Sequence, residues 1–252
     1  MLSPRVLQPF TFPRTGRTVA NRAVLAAMTN KQSHPDGTLG DDELVWLRAR
    51  GSFGIVTTCA AHVAEDGQGW DGELGVYADT HVPGLTRLAD ALRTEGTLSL
   101  VQIFHGGVRA PSRLTGTQPW SASVFELDAP SFEVPRAATA QDIERTIAAF
   151  ADAARRCADA GFDGVEIHGA HGYLITQFLG TVTNTRDDDW GGPLANRARF
   201  VRRIVAAVRA AVPVDFLVGV RLSPEVAEQG VTLHDALQVA RWLVEDGVDF
   251  LH

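Results

Sequence analysis

Short apolar runs alternate with longer amphipathic segments along most of the chain. The runs are Ala23 to Met28, Gly54 to Ala60 (GIVTTCA), Leu98 to Phe104 (LSLVQIF), Gly164 to His168 (GVEIH), Phe216 to Arg221 (FLVGVR) and Val248 to His252. Near-continuous apolar runs of this length read as strands buried on both faces. Between them lie helical patterns. Asp41 to Arg50 carries its acidic residues in the first turn, and Thr80 to Glu95 repeats Val82, Leu85, Leu88 and Leu92 at a helical period. A loop rich in Pro, Ser and Gly runs from Gly106 to Arg136. Thr139 then reads as an N-cap with Asp142 three residues on. The helix that follows places Ile143, Ile147, Phe150, Ala154 and Cys157 on one face and ends at Gly161. Asn196 to Val212, closed by Pro213, and Thr232 to Glu245, followed by Gly247, complete the helices.

Strands alternating with helices imply parallel βαβ units, either in an open doubly wound sheet or in a barrel. A dinucleotide fold of the first kind usually carries a Gly-rich turn after its first strand. Here Met28 to Gly37 has one Gly, at its end, and no Walker A sequence is present. The literal G-x-G-x-x-G at Gly67, Gly69 and Gly72 neither closes a tight strand-to-helix turn nor opens a helix, so it reads as a loop. The 252 residues match the usual length of one (β/α)8 barrel. The elements count only about six βα units, and the sequence stops within the sixth strand. The expectation is therefore an α/β TIM barrel with about the first six units present, forming a single incomplete domain over residues 1–252. A truncated reading frame, a fragment or a barrel-completing partner chain accounts for that end; the expected protein partner is that chain or a second copy in a homo-oligomer.

Composition narrows the class further. The net charge is -7, which disfavours nucleic acid as a partner. Residues 1–8 lack an apolar signal core, and no apolar run approaches a membrane span. Cys59 and Cys157 are isolated, form no CxxC, and suit a reduced, cytoplasmic setting.

In a barrel the chemistry sits at the C-terminal ends of the strands. Polar residues gather there repeatedly: Thr29, Asn30 and Lys31 after the first strand, Gln102 to His105 on the third, His168 on the fourth, Arg221 on the fifth and His252 on the sixth. The sharpest cluster is His168-Gly-Ala-His171-Gly-Tyr173. One reading is a metal site of a barrel hydrolase, which needs a third ligand and a carboxylate base. The other is an organic oxyanion site, with two imidazoles donating to one oxygen and a phenol supplying a proton.

At these residues the sequence resembles the old yellow enzyme family of FMN-dependent ene-reductases and NADH:flavin oxidoreductases. The matching motifs run in order: Asn21-Arg22 to Met28, Gln102 with His105-Gly106-Gly107, Phe162 to Leu174 (FDGVEIHGAHGYL), Asn184-Thr185-Arg186 to Gly192 with Asn196-Arg197, and Arg221-Leu222-Ser223. The resemblance implies a (β/α)8 barrel holding FMN at its C-terminal mouth. Ala27, Met28 and Thr29 would line the flavin, Ala60 and Gln102 would contact its isoalloxazine edge, and Arg221 would face the N1–C2 carbonyl region, where reduced flavin is negative. His168 and His171 would hold a carbonyl or nitro oxygen, and Tyr173 would donate the proton. NADH or NADPH would reduce FMN, and flavin N5 would pass hydride to an activated alkene, with no metal involved. Two positions depart from the family: Ala27 stands where Pro is common, and Lys31 where one branch has an aromatic residue, a cation that either favours acidic substrates or simply points to solvent. In the family, strands seven and eight carry most of the FMN phosphate site. A non-catalytic barrel remnant that binds a partner, and a metal-dependent barrel hydrolase, remain as alternative readings.

Overall fold

The apolar runs pair side by side into one parallel sheet. The structure, a computed structural model, describes residues 4–126 and 132–252. The strands are β1 (Val24–Leu25), β2 (Ile55–His62), β3 (Leu98–Phe104), β4 (Gly164–Gly169), β5 (Leu217–Leu222) and β6 (Phe250–Leu251). They lie in the order β6-β5-β4-β3-β2-β1, so each strand neighbours its successor in sequence. A doubly wound sheet reverses its order at a switch point; this one never does.

The sheet is strongly curled. Four inter-strand steps separate β5 from β1, roughly 19 Å in a flat sheet. Yet Arg221 Nη1, at the end of β5, donates to the Ala27 carbonyl beyond β1 at 3.2 Å. An arginine side chain cannot span the flat distance, so the two ends have rolled toward each other.

The helices cover the outer face. They are α1 (Asp41–Arg48), α2 (Val82–Thr94), α3 (Ala140–Asp159), the short α4 (Leu174–Leu179), α5 (Arg199–Ala211) and α6 (Leu233–Glu245). Outward side chains of the strands, such as Val101, Ile103, Val165, Ile167, Val218 and Val220, are buried beneath them. The expected capping box forms at α3: Thr139 Oγ1 accepts from Asp142 N–H, and the Asp142 carboxylate accepts from Thr139 N–H. Among the described residues no helix is long and apolar enough to cross a membrane.

Some elements differ from the sequence expectation. The first strand pairs only over Val24–Leu25. The helix expected from Asn196 is broken at Ala198 into Leu194–Arg197 and α5. All six residues of α4 are buried, so its sequence has no polar face to mark a helical period. The segment from Gly67 to Gly72 follows a single 3-10 turn, Glu65–Gly67, and opens no helix.

A two-residue hairpin, Phe10–Thr11 against Thr18–Val19, lies across the N-terminal end of the curl. Its Phe12 and Val19 pack with Ile55, Leu100 and Leu217 in a second, smaller core. One carboxylate fastens this end. Asp249, just before β6, is 2% exposed in its side chain. It accepts from Arg14 Nε at 2.6 Å, from Arg209 Nη2 and from Val218 N–H at 2.8 Å. The hairpin turn, α5 and β5 thus share one buried ion cluster. Burial pushes the Asp249 carboxyl up, but the bonds from Arg14 and Arg209 outweigh it, so it titrates below the usual range. Its stabilisation is complete above about pH 4 and is lost as pH falls through the depressed folded value. Asp249→Ala leaves Arg209 without its carboxylate partner and is expected to cost about 3 kcal/mol, read as a fall in the urea midpoint at pH 7. An unchanged midpoint would show that the hairpin is held by its apolar core alone.

Candidate active site

Register decides which side chains meet inside the curl. Ala60 is paired with Gln102, Gln102 with Glu166, and His168 with Arg221. Paired residues on neighbouring strands face the same way, so these form two inward layers. The lower layer is closed by its own bonds. Gln102 Nε2 donates to Glu166 Oε1 at 2.6 Å, and His252 Nδ1 lies 2.9 Å from Glu166 Oε2. Gln102 therefore spends one amide N–H on a protein partner, which leaves its second N–H and its oxygen for a ligand.

The upper layer opens at the C-terminal mouth. His168 is 3% exposed. Its Nδ1 accepts from Ala170 N–H at 3.2 Å. Burial first, then the neighbouring His171, Arg221 and His252, pushes its pKa well below the usual histidine value. The imidazole is thus neutral at pH 7, and with Nδ1 accepting, its proton sits on Nε2.

The chain then turns sharply. His171 has φ 58° and Gly172 φ 77°. A Cβ at Gly172 would come within 2.7 Å of Gln229 Nε2, so this corner needs glycine. The left-handed histidine costs on the order of 1 kcal/mol and is held by its surroundings: His171 N–H donates to Ser223 Oγ at 3.0 Å. Buried Gln177 donates to the carbonyls of Gly172, at 2.8 Å, and Gly106, at 3.2 Å, and so ties the corner to the loop after β3. The outcome is a compact group. The His168 ring centroid lies 5.0 Å from that of His171 and 4.8 Å from that of Tyr173. Burial, then Arg221, His252 and Arg109, also lower the His171 pKa. Burial raises that of Tyr173, against an opposing pull from Arg109.

The residues expected to line a flavin border the same mouth. Ala27 and Ala60 are buried and small, and Met28, beyond β1, is 59% exposed. Thr29 follows it and is exposed. Arg221 has the Ala27 carbonyl as its hydrogen-bond partner, and among the described residues no carboxylate pairs with it. An apolar side chain left open beside an unneutralised guanidinium fits a flat ring whose pyrimidine edge carries negative charge. Among the described residues no group of three His, Cys, Asp or Glu could hold a metal ion; His168 and His171 stand without a third ligand.

Supporting residues escape a reading of the sequence. Glu43 on α1 is fully buried; Ser33 Oγ donates to it at 2.5 Å and Cys59 Sγ at 2.9 Å. Burial raises its pKa. It anchors the segment that follows Met28 and Thr29. The signal was a carboxylate four residues before Leu47 on the inward stripe of the helix. Glu73 is the second. Its Oε2 accepts from Gly69 N–H at 2.9 Å and Trp70 N–H at 3.2 Å. Its Oε1 lies 2.8 Å from His62 Nδ1. Burial raises the Glu73 pKa and drops that of His62 to about 4. This carboxyl holds the loop whose Trp70 stacks on Phe104 at 5.3 Å, and Phe104 in turn meets Tyr173 edge-on at 5.1 Å.

Comparison with known proteins agrees with this geometry. The NADH:flavin oxidoreductase / NADH oxidase family model matches residues 5–252. The probable NADH-dependent flavin oxidoreductase YqiG of Bacillus subtilis (strain 168) is 40% identical, over 98% of this chain and 68% of its own length. The NADH:fumarate oxidoreductase of Klebsiella pneumoniae (strain 342) is 37% identical over 98% of this chain, which spans only 28% of that longer protein. The solved old yellow enzyme homologue from Zymomonas mobilis superposes with a TM-score of 0.90 at 29% identity, covering 98% of this chain and 72% of that one. The chain belongs to the NADH:flavin oxidoreductase / NADH oxidase family, the FMN- and NAD(P)H-dependent oxidoreductases of old yellow enzyme type.

Proposed function

We propose that this chain is the flavin and acceptor-binding part of an NAD(P)H-dependent enzyme that reduces activated C=C bonds, those conjugated to a carbonyl or nitro group. The observation that carries the reading is the state of His168: buried and neutral, with Nδ1 occupied by a backbone N–H. Its remaining Nε2–H serves as a donor to an oxygen that gains negative charge, and His171 adds a second neutral donor. Two neutral imidazoles polarise a carbonyl without protonating it. Tyr173 keeps its proton at neutral pH because burial raises its pKa, so it can deliver that proton to the carbon next to the carbonyl.

Ala27, Met28, Thr29, Ala60, Gln102 and Arg221 are the residues proposed to hold FMN, which when bound supplies the hydride. Arg221 matches the negative pyrimidine edge, and Gln102 offers its free amide groups. The curl of the sheet suits a (β/α)8 barrel, of which these six strands form one continuous part. The buried free thiols Cys59 and Cys157 suit a reducing compartment such as the cytoplasm. Among the described residues a metal hydrolase reading lacks its third ligand, and a purely non-catalytic remnant leaves the unneutralised Arg221 and the strained His171 without purpose.

Replacing both His168 and His171 with Ala is expected to abolish phenol binding and to slow alkene reduction about 10²- to 10³-fold while leaving flavin bound. The flavin absorbance of the purified protein and the turnover of a 2-enone check it; unchanged turnover would overturn the assignment. Tyr173→Phe is expected to slow alkene reduction about 10²- to 10⁴-fold while NAD(P)H oxidation with oxygen as acceptor stays at the parent rate. In the parent enzyme, the Tyr173-dependent step should hold level across neutral pH and fall only above pH 10, as the pH profile of alkene turnover will read out.

A further inference from the structure

The 3-10 turn Gly107–Arg109 after β3 carries a cation that the proposed chemistry does not use. Its guanidinium carbon lies 5.7 Å from the Tyr173 ring centroid and 5.2 Å from that of Phe132. A Cβ built on Gly172 would stand 3.3 Å from Arg109 Nη2, so the cation sits against the corner that carries His171 and Tyr173. Among the described residues Arg109 Nε is buried without a hydrogen-bond partner. Among the described residues no carboxylate pairs with it, although most other arginines of the chain have one, as Arg14, Arg136, Arg186 and Arg202 do. A half-buried guanidinium between two aromatic faces, with a donor left open, is incompletely satisfied by the protein. Its planar fork suits a carboxylate better than a neutral oxygen.

We propose that Arg109 is the specificity residue that selects acceptors bearing a carboxylate, which it binds while His168 and His171 hold the activating carbonyl. This rests on the proposed function. The ligand class is then an unsaturated ketone or acid with a second, anionic group across its double bond. Two features favour the acceptor over the nicotinamide phosphate as the source of the anion. Arg109 touches the turn bearing the proton donor, and its charge bears on His171 and Tyr173, the residues proposed to meet the acceptor. The same contact keeps the acceptor's double bond beside the phenol.

The test uses the FMN-loaded protein and two pairs of probes. Binding is read by calorimetry with 4-oxopentanoate and its methyl ester, which cannot be reduced. Turnover is read with trans-4-oxopent-2-enoate and its methyl ester. Arg109→Gln is expected to weaken 4-oxopentanoate about ten- to a hundredfold and to leave the ester unchanged. For the unsaturated pair it should raise KM for the acid, with kcat and the ester parameters near the parent values. Arg109→Lys should recover part of the loss. Equal loss for acid and ester would overturn the proposal and make Arg109 a packing residue. Unchanged acid affinity would also overturn it, as would a rise in KM for NADH alone, which would assign the cation to the nucleotide. If the parent protein binds 4-oxopentanoate through Arg109 but reduces neither unsaturated probe, the proposed reduction fails while the anion site stands.

Discussion

Everything at the mouth depends on the curl of the parallel sheet. In a flat sheet the residues that follow β1 and those that end β5 are too far apart to share a ligand. Rolling the sheet brings Arg221 onto the Ala27 carbonyl and turns the inward residues of β2 to β5 toward one space. The curl needs small or shared volume inside. Gly219 supplies some: a Cβ there would strike the Phe250 ring at 2.0 Å. The hairpin residues Phe12 and Val19 fill the N-terminal end. Polar layers stack above, first Gln102 with Glu166, then His168 with Arg221. Apolar packing at one end of the curl thus supports chemistry at the other, which is the division of labour expected of barrel strands.

Electrostatics then sets the protonation states. The mouth collects Arg221, Arg109, His168, His171 and His252. Burial and the Arg221 charge lower the pKa of both His168 and His171, and Arg109 adds to the lowering at His171; neutral imidazoles donate hydrogen bonds without becoming competing acids. The nearby carboxylates do not cancel the field. Glu166 is engaged by Gln102 and His252 and only partly offsets the lowering of the His171 pKa, and burial raises the Glu73 pKa. A site with net positive character is the natural complement of an electron acceptor that gains negative charge as it reacts.

The sequence made the repeating units legible because period and burial coincide there. β3 spans Leu98–Phe104, the apolar run itself, and the cap at Thr139 followed from one hydroxyl and one carboxylate three residues apart. The specific motif around them singled out His168, His171 and Tyr173, and the structure sets the rings of His171 and Tyr173 about 5 Å from that of His168. The curl was not, since no single strand carries it; it is a property of register and of which side chains fill the inside. The hairpin at Phe10–Thr11 was too short for alternation to be seen. Arg109 lay in a Pro-, Ser- and Gly-rich loop where a basic residue normally meets solvent. Only the fold sets it against Gly172.

Glu43 and Glu73 show a more general reason for such gaps. Each is a buried carboxyl in a segment whose sequence reads as surface: an acidic helix start and a glycine-rich loop. Burying a carboxylate is costly unless it is paired, bonded or protonated. Both groups are bonded, and their raised pKa values show that burial still outweighs those bonds. A fold tolerates that expense where the group fixes backbone that nothing else fixes. Glu43 holds the residues after Met28 and Thr29, and Glu73 holds Trp70 against Phe104 behind Tyr173. The two carboxyls therefore brace opposite walls of the same mouth. Neither needs to touch a substrate for its loss to loosen the groups that do, because a site that works by alignment is sensitive to displacements of about 1 Å.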